Sequence, residues 1–209
     1  MGSEYDPLFA ARKAAVDDLT SVQQLFARSA APFIRSPWSW WAWAVILPAV
    51  ALATRPLLAA SGLREVVFAW CGAIIVGGTI EMWIVRTGGR SGGQASRTTL
   101  ATWVLRSQAN LSFVAAVLSA LLLWWGHAEA LPGLWLLVLG HSFLVLGGLA
   151  FPPFRRTGWI YQLAGLGALW PGQDGLLWFA AATALGNGVI GLAVLHNARP
   201  RGKAALPAA

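Results

Sequence analysis

Charge is scarce in this chain. Only 11% of the residues are Asp, Glu, Lys or Arg, where a soluble domain carries roughly 25%. With 57% hydrophobic residues and a mean hydropathy of +0.60, a soluble globular domain, a disordered chain and a collagen-like chain are excluded. Cysteine is nearly absent: Cys71 alone, inside an apolar run, leaves no intrachain disulfide and no disulfide scaffold. Acidic groups number 8 against 15 Lys+Arg. Every aspartate (Asp6, Asp17, Asp18 and Asp174) falls outside the apolar segments, which excludes an intramembrane protease built on facing aspartates. No H-E-x-x-H, G-x-S-x-G or C-x-x-C occurs. The expectation is a protein that is not an enzyme and has no catalytic residues.

What is present is a series of long apolar runs. Crossing the ~30 Å hydrocarbon layer takes roughly 20 apolar residues at ~1.5 Å each. Six segments are read as spans: Trp38–Ala53, Val66–Val85, Leu100–Trp125, Leu134–Phe151, Trp159–Trp170 and Leu176–Leu195. Pro48 kinks the first without ending it. The fifth is short enough to be a re-entrant or interfacial helix instead, but the basic residues favour six spans. With six, both termini share one side with Arg12, Lys13, Arg28, Arg35, Arg86, Arg90, Arg97, Arg106, Arg155, Arg156, Arg199, Arg201 and Lys203. Only Arg55 and Arg64 lie opposite. By the positive-inside rule both termini are cytoplasmic. The expected fold class is an all-α, multi-pass bundle of six transmembrane helices over residues 38–197. A cytoplasmic amphipathic region precedes it (1–37), and a disordered cytoplasmic tail follows (198–209). The first span serves as the insertion signal.

The net charge of +7 does not point to nucleic acid, because the basic residues sit at span ends and form no basic face interleaved with aromatics. The 13 tryptophans fall near the two interfaces. Trp38, Trp40, Trp41, Trp43, Trp83, Trp103 and Trp159 form the inner belt; Trp70, Trp124, Trp125, Trp135, Trp170 and Trp178 form the outer one. A Trp-lined ligand cage is the alternative.

In the N-terminal region, Asp6-Pro7 starts a helix that runs to about Ser29, before Pro32. Phe9, Val16, Leu19, Val22 and Phe26 lie mostly on one face. Such a helix suits the inner leaflet, the underside of the bundle or a partner protein. The Gly/Ser-rich, basic stretch Arg86–Arg97 lacks phosphate-loop spacing and reads as a flexible linker drawn to anionic lipid.

Ionisable side chains within spans are costly and become functional candidates. Glu81 near the inner end of the second span and Arg106 near the start of the third lie at similar depth, so an ion pair is expected. It would either fix helix packing or form part of a proton or cation path. Gln108, Asn110, Gln162 and Asn187 are read as interhelical hydrogen-bonding amides, and His141 as a hydrogen-bonded core residue. With His127 and His196 at other depths, the histidines form no haem or metal site, and no cofactor is expected.

Glycines recur through the spans and are read first as packing positions. Gly77-Gly78…Arg86-Thr87-Gly88 is echoed by Gly147-Gly148…Arg156-Thr157-Gly158, which raises the idea of a parallel hairpin repeat of the kind seen in transporters.

The stretch Leu131-Pro-Gly-Leu-Trp135, with Gly140, Gly147-Gly148 and Gly158, resembles a group of small bacterial membrane proteins. So does the N-terminal Asp18-Leu19 to Leu25 and Ser29. The resemblance implies six spans in a bacterial inner membrane, a gene beside a winged-helix regulator and no established activity. It also implies a last-span histidine, where this chain instead reads Gly186-Asn-Gly-Val-Ile-Gly191; a role resting on that histidine does not transfer.

Together these features lead to the expectation of a non-enzymatic regulatory, sensory or assembly subunit. Its partners would be the bilayer and a protein, or a second copy, docked through Gly-rich helix faces or the N-terminal helix. A small transporter or channel with Glu81 and Arg106 in its path is the alternative.

Overall fold

The computed structural model describes residues 16–18, 20–21, 36–88, 99–149 and 151–198. Of the expected N-terminal amphipathic helix, only Val16–Asp18, Thr20 and Ser21 are included, and these are helical and exposed. The rest of that helix, the 89–98 connection and the tail after Ala198 lie outside the described residues.

The fold is all-helical, with no strand among the described residues. In chain order the helices are α1 Pro37–Ser61, α2 Leu63–Gly88, α3 Thr99–Trp124, a 3-10 turn Ala128–Ala130, α4 Leu131–Leu149, α5 Pro152–Ala168 and α6 Gly175–Ala198. Five stretches are long and apolar enough to cross a membrane: Pro37–Ser61, Leu63–Ile84, Arg106–Trp124, Ala128–Gly147 and Gly175–Asn197. This is the architecture of a multi-pass membrane protein. The exception is α5, with 17 residues that open on Pro152-Pro153 and include Arg155 and Arg156.

Local chemistry explains the helix boundaries. Ser36 caps α1 by accepting from the Trp38 N–H at 3.3 Å, and Pro37 occupies the first helical position, where no N–H is needed. The helix then continues through Pro48 and Pro56 to Ser61, well past Ala53. Gly62 alone turns the chain back into α2, at φ 93°, with its N–H reaching the carbonyls of Leu57 and Leu58. A side chain at that φ would be strained, so the one-residue reversal requires glycine.

The core is built from four helices. α5 packs along α4, α6 along α1, and α5 against α6. Half of the α6 span is buried, against 6% of those of α2 and α3. α2 leans on α1, and α3 leans on α4 and the 3-10 turn; α2 and α3 touch each other marginally at most. The exposed Phe68, Ile74 and Ile75 of α2 suit lipid-facing positions, since lipid tails are as apolar as these side chains.

The tightest seam joins α4 to α5. A Cβ on Gly140 would lie 3.0 Å from the Gly158 carbonyl oxygen, and one on Gly158 equally close to that of Gly140. Gly133 and Gly165 face each other the same way at 3.1 Å. Both pairs belong to one antiparallel register, so α5 runs beside α4 along almost its whole length. The aromatic cluster of Trp40, Phe143, Phe154 and Tyr161 fills one end of the core, with centroids 5.4–6.0 Å apart. Trp40, placed in the inner belt by sequence, is thus a packing residue.

At the other end Asp174 has two tasks. Its Oδ1 accepts from the N–H groups of Leu176 and Leu177 at 3.1 and 3.2 Å, capping α6. Its Oδ2 meets Arg55 Nη1 at 2.7 Å, tying α6 to α1. Thermal unfolding in detergent should separate the two. Asp174→Ala is expected to cost about 1–2 kcal/mol, because the cap is lost with the ion pair. Arg55→Gln is expected to cost under about 1 kcal/mol, because the guanidinium is mostly exposed.

Candidate functional site

The polar side chains singled out by sequence divide into a set turned inward and a set turned outward. On the inward side, Gln162 Nε2 donates to the Leu137 carbonyl at 3.0 Å, joining α5 to α4. Asn187 is 3% exposed, one turn before Gly191, whose bare Cα faces the Trp41 indole of α1. Gln108 is half-buried on the stripe of α3 that faces α4. These amides lie at helix contacts, where amide groups have protein partners within reach.

Glu81 is half-buried between α1 and α2. Its Oε2 accepts from Trp43 Nε1 at 3.2 Å, and the Trp43 ring lies over Gly77, where any Cβ would overlap it. One indole therefore fills the space left by a glycine and supplies the donor for the carboxylate one turn further on. The expected Glu81–Arg106 ion pair is not formed. Depth alone suggested it, whereas α2 and α3 are held on different neighbours.

Arg106 and Asn110 are exposed. Between 106 and 124 the α3 residues that are not exposed are Gln108, Leu111, Ala115, Ser119 and Leu122, a single stripe at 3–4 spacing that faces α4. At 100° per residue, positions 106 and 110 lie about 200° either side of Gln108, on the back of the helix. His141 is also exposed, near the middle of the α4 span, with no hydrogen bond among the described residues. It is not the core residue expected: Gly140, its neighbour, takes the α5-facing position and turns the imidazole away.

Sequence reasoning missed a recurrent device. Trp70 Nε1 donates to Thr54 Oγ1 at 3.0 Å across α2 and α1; Trp135 Nε1 donates to Ser119 Oγ at 3.1 Å across α4 and α3. Each hairpin thus carries a hydroxyl on its outgoing helix and an indole on its returning helix, 16 residues later. That common spacing was the available signal. The Gly77/Gly147 echo, by contrast, joins unlike positions. Gly77 admits an indole from the preceding helix, Gly147 admits the Arg155 backbone of the following one, and Gly78 has nothing within 4 Å. Thr157 is a further buried tie missed from sequence, its Oγ1 donating to the Gly186 carbonyl at 3.1 Å.

No three His, Cys, Asp or Glu side chains gather as metal ligands among the described residues. Comparison with protein-family models, curated proteins and solved structures finds no match to this chain. The candidate site therefore rests on its own geometry: exposed polar side chains on the back of α3 (Arg106, Asn110) and, separately, on α4 (His141), and a carboxylate held by an indole between α1 and α2.

Proposed function

We propose that the chain is a non-enzymatic subunit of a membrane assembly, with a regulatory, sensory or assembly role. It docks another protein subunit, or a second copy, through the exposed parts of α3 and α4 that carry Asn110 and His141. The observation that supports this reading is that Asn110 and His141, both inside their spans, are exposed on the surface of the bundle. Polar side chains inside a bilayer almost always meet protein or water, because lipid tails supply no hydrogen-bond partner. A neighbouring subunit would meet that demand.

In this reading α5 is the sixth span. Its shared register with α4, a helix long enough to cross, supports a crossing despite its length. The sorting of basic residues then supports both termini on the cytoplasmic side, and the resemblance to small bacterial membrane proteins favours a bacterial inner membrane. The transporter or channel alternative needs Glu81 and Arg106 on one path. Glu81 turned to Trp43, and Arg106 on the back of α3, favour assembly instead.

Native mass spectrometry after gentle extraction tests the proposal. The expected spectrum shows a stoichiometric complex or homo-oligomer, and Asn110→Leu with His141→Leu lowers its recovery at least about tenfold, the equivalent of about 1.4 kcal/mol. A lone protein, or a complex indifferent to both changes, would overturn it.

A further inference from the structure

The outer face of α2 differs in kind from that of α3. Ile74, Ile75, Gly78, Thr79, Met82 and Trp83 line an open groove of about 530 Å³ that ends at Arg86. Its floor is bare backbone at Gly78, where a Cβ would have nothing within 4 Å. Thr79, which would otherwise make it polar, turns its hydroxyl back onto the Ile75 carbonyl at 2.7 Å and leaves its methyl outward. From Ile74 to Arg86 the groove runs about 18 Å at ~1.5 Å per residue, close to the ~15 Å depth of one leaflet of hydrocarbon. Trp83 is 66% exposed beside the charged end, and Arg86 is exposed with no ion pair among the described residues.

We infer that this groove is a binding site for an anionic phospholipid, with one acyl chain along Ile74–Gly78–Met82 and the headgroup phosphate on Arg86. Charge complementarity selects the occupant. A second protein helix would answer the guanidinium only if it carried an acid at that one level, and a zwitterionic lipid brings a cation together with its phosphate. An anionic headgroup brings only the partner that Arg86 lacks among the described residues. A headgroup held on Arg86 would put the Trp83 indole where headgroup and chain meet, the position that indoles favour. The inference is independent of the assembly reading, which uses α3 and α4.

The test places the full-length protein in phosphatidylcholine nanodiscs containing graded amounts of brominated phosphatidylglycerol, or of brominated phosphatidylcholine as the comparison. Subtracting the signal of Trp83→Phe isolates the quenching of that indole. Brominated phosphatidylglycerol should quench it at a several-fold lower mole fraction than brominated phosphatidylcholine. Arg86→Gln should reduce that preference about fivefold, the contribution of one basic residue near a charged surface, while Arg156→Gln leaves it in place. Gly78→Leu, which fills the groove where space is free, should abolish the preference. Equal quenching by the two lipids, or a preference untouched by Arg86→Gln, would mean ordinary annular lipid and would overturn the inference. Should Gly78→Leu fail to fold, the Arg86→Gln comparison decides alone.

Discussion

Replacing Gly140 with alanine is expected to destabilise the protein by about 1–3 kcal/mol, whereas the same change at Gly78 is expected to stabilise it by about 0.5–1 kcal/mol. The added atom is identical, and both glycines are inside helices. At Gly140 the new Cβ would lie 2.9 Å from the Gln162 backbone nitrogen and 3.0 Å from the Gly158 carbonyl oxygen. Neither is the far end of a flexible side chain, so α4 and α5 must separate. That movement also lengthens the Gln162–Leu137 hydrogen bond, and its loss adds to the cost. At Gly78 the Cβ meets open space, so only the gain in helix propensity remains. Thermal unfolding of the two variants in one detergent is the measurement. A small rise for both would mean that the α4–α5 seam yields, and that its register is not what sets the bundle.

The second large effect is expected at Trp43. Trp43→Ala should cost about 3–5 kcal/mol, because the ring that fills the hollow over Gly77 disappears and Glu81 loses its indole donor. Trp43→Phe keeps most of the packing and should cost less. Glu81→Gln should be nearly neutral in stability, since an amide oxygen still accepts from Nε1. A double-mutant cycle between Trp43→Phe and Glu81→Leu isolates the hydrogen bond, expected at about 0.6–2 kcal/mol for a pair within a membrane. A cycle that closes at zero would show that the carboxylate does not depend on the indole. Glu81 would then regain its standing as a residue free to carry a proton or cation.

The two results concern the same question, which is where small residues let helices approach. In the sequence all the span glycines look alike. In the fold Gly133, Gly140, Gly158 and Gly165 are consumed by one seam, Gly186 accommodates the Tyr161 ring and Gly191 the Trp41 indole. Gly72, Gly78 and Gly188 are left open to the surroundings. Most of the span glycines are thus taken up by contacts within the chain, which is why the assembly we propose uses exposed polar positions such as Asn110 and His141.

Sequence by itself determined the class of solvent and the class of fold. Charge scarcity and long apolar runs require a bilayer, and within a bilayer a lone chain of such segments must close its backbone hydrogen bonds as helices. It also identified the groups whose burial would be costly, Glu81, Arg106 and His141 among them, because that cost belongs to the residue type. Tertiary structure alone decided what each of these groups meets. Glu81 reaches an indole and not Arg106, Gln162 reaches a backbone carbonyl, and His141 faces outward although it lies mid-span. The physical reason is that an apolar span is hydrophobic all round. With lipid as apolar as the core, hydropathy carries no record of which face turns inward. That choice is made by shape, where glycine meets glycine or a ring meets a hollow, and shape exists only once the helices are side by side.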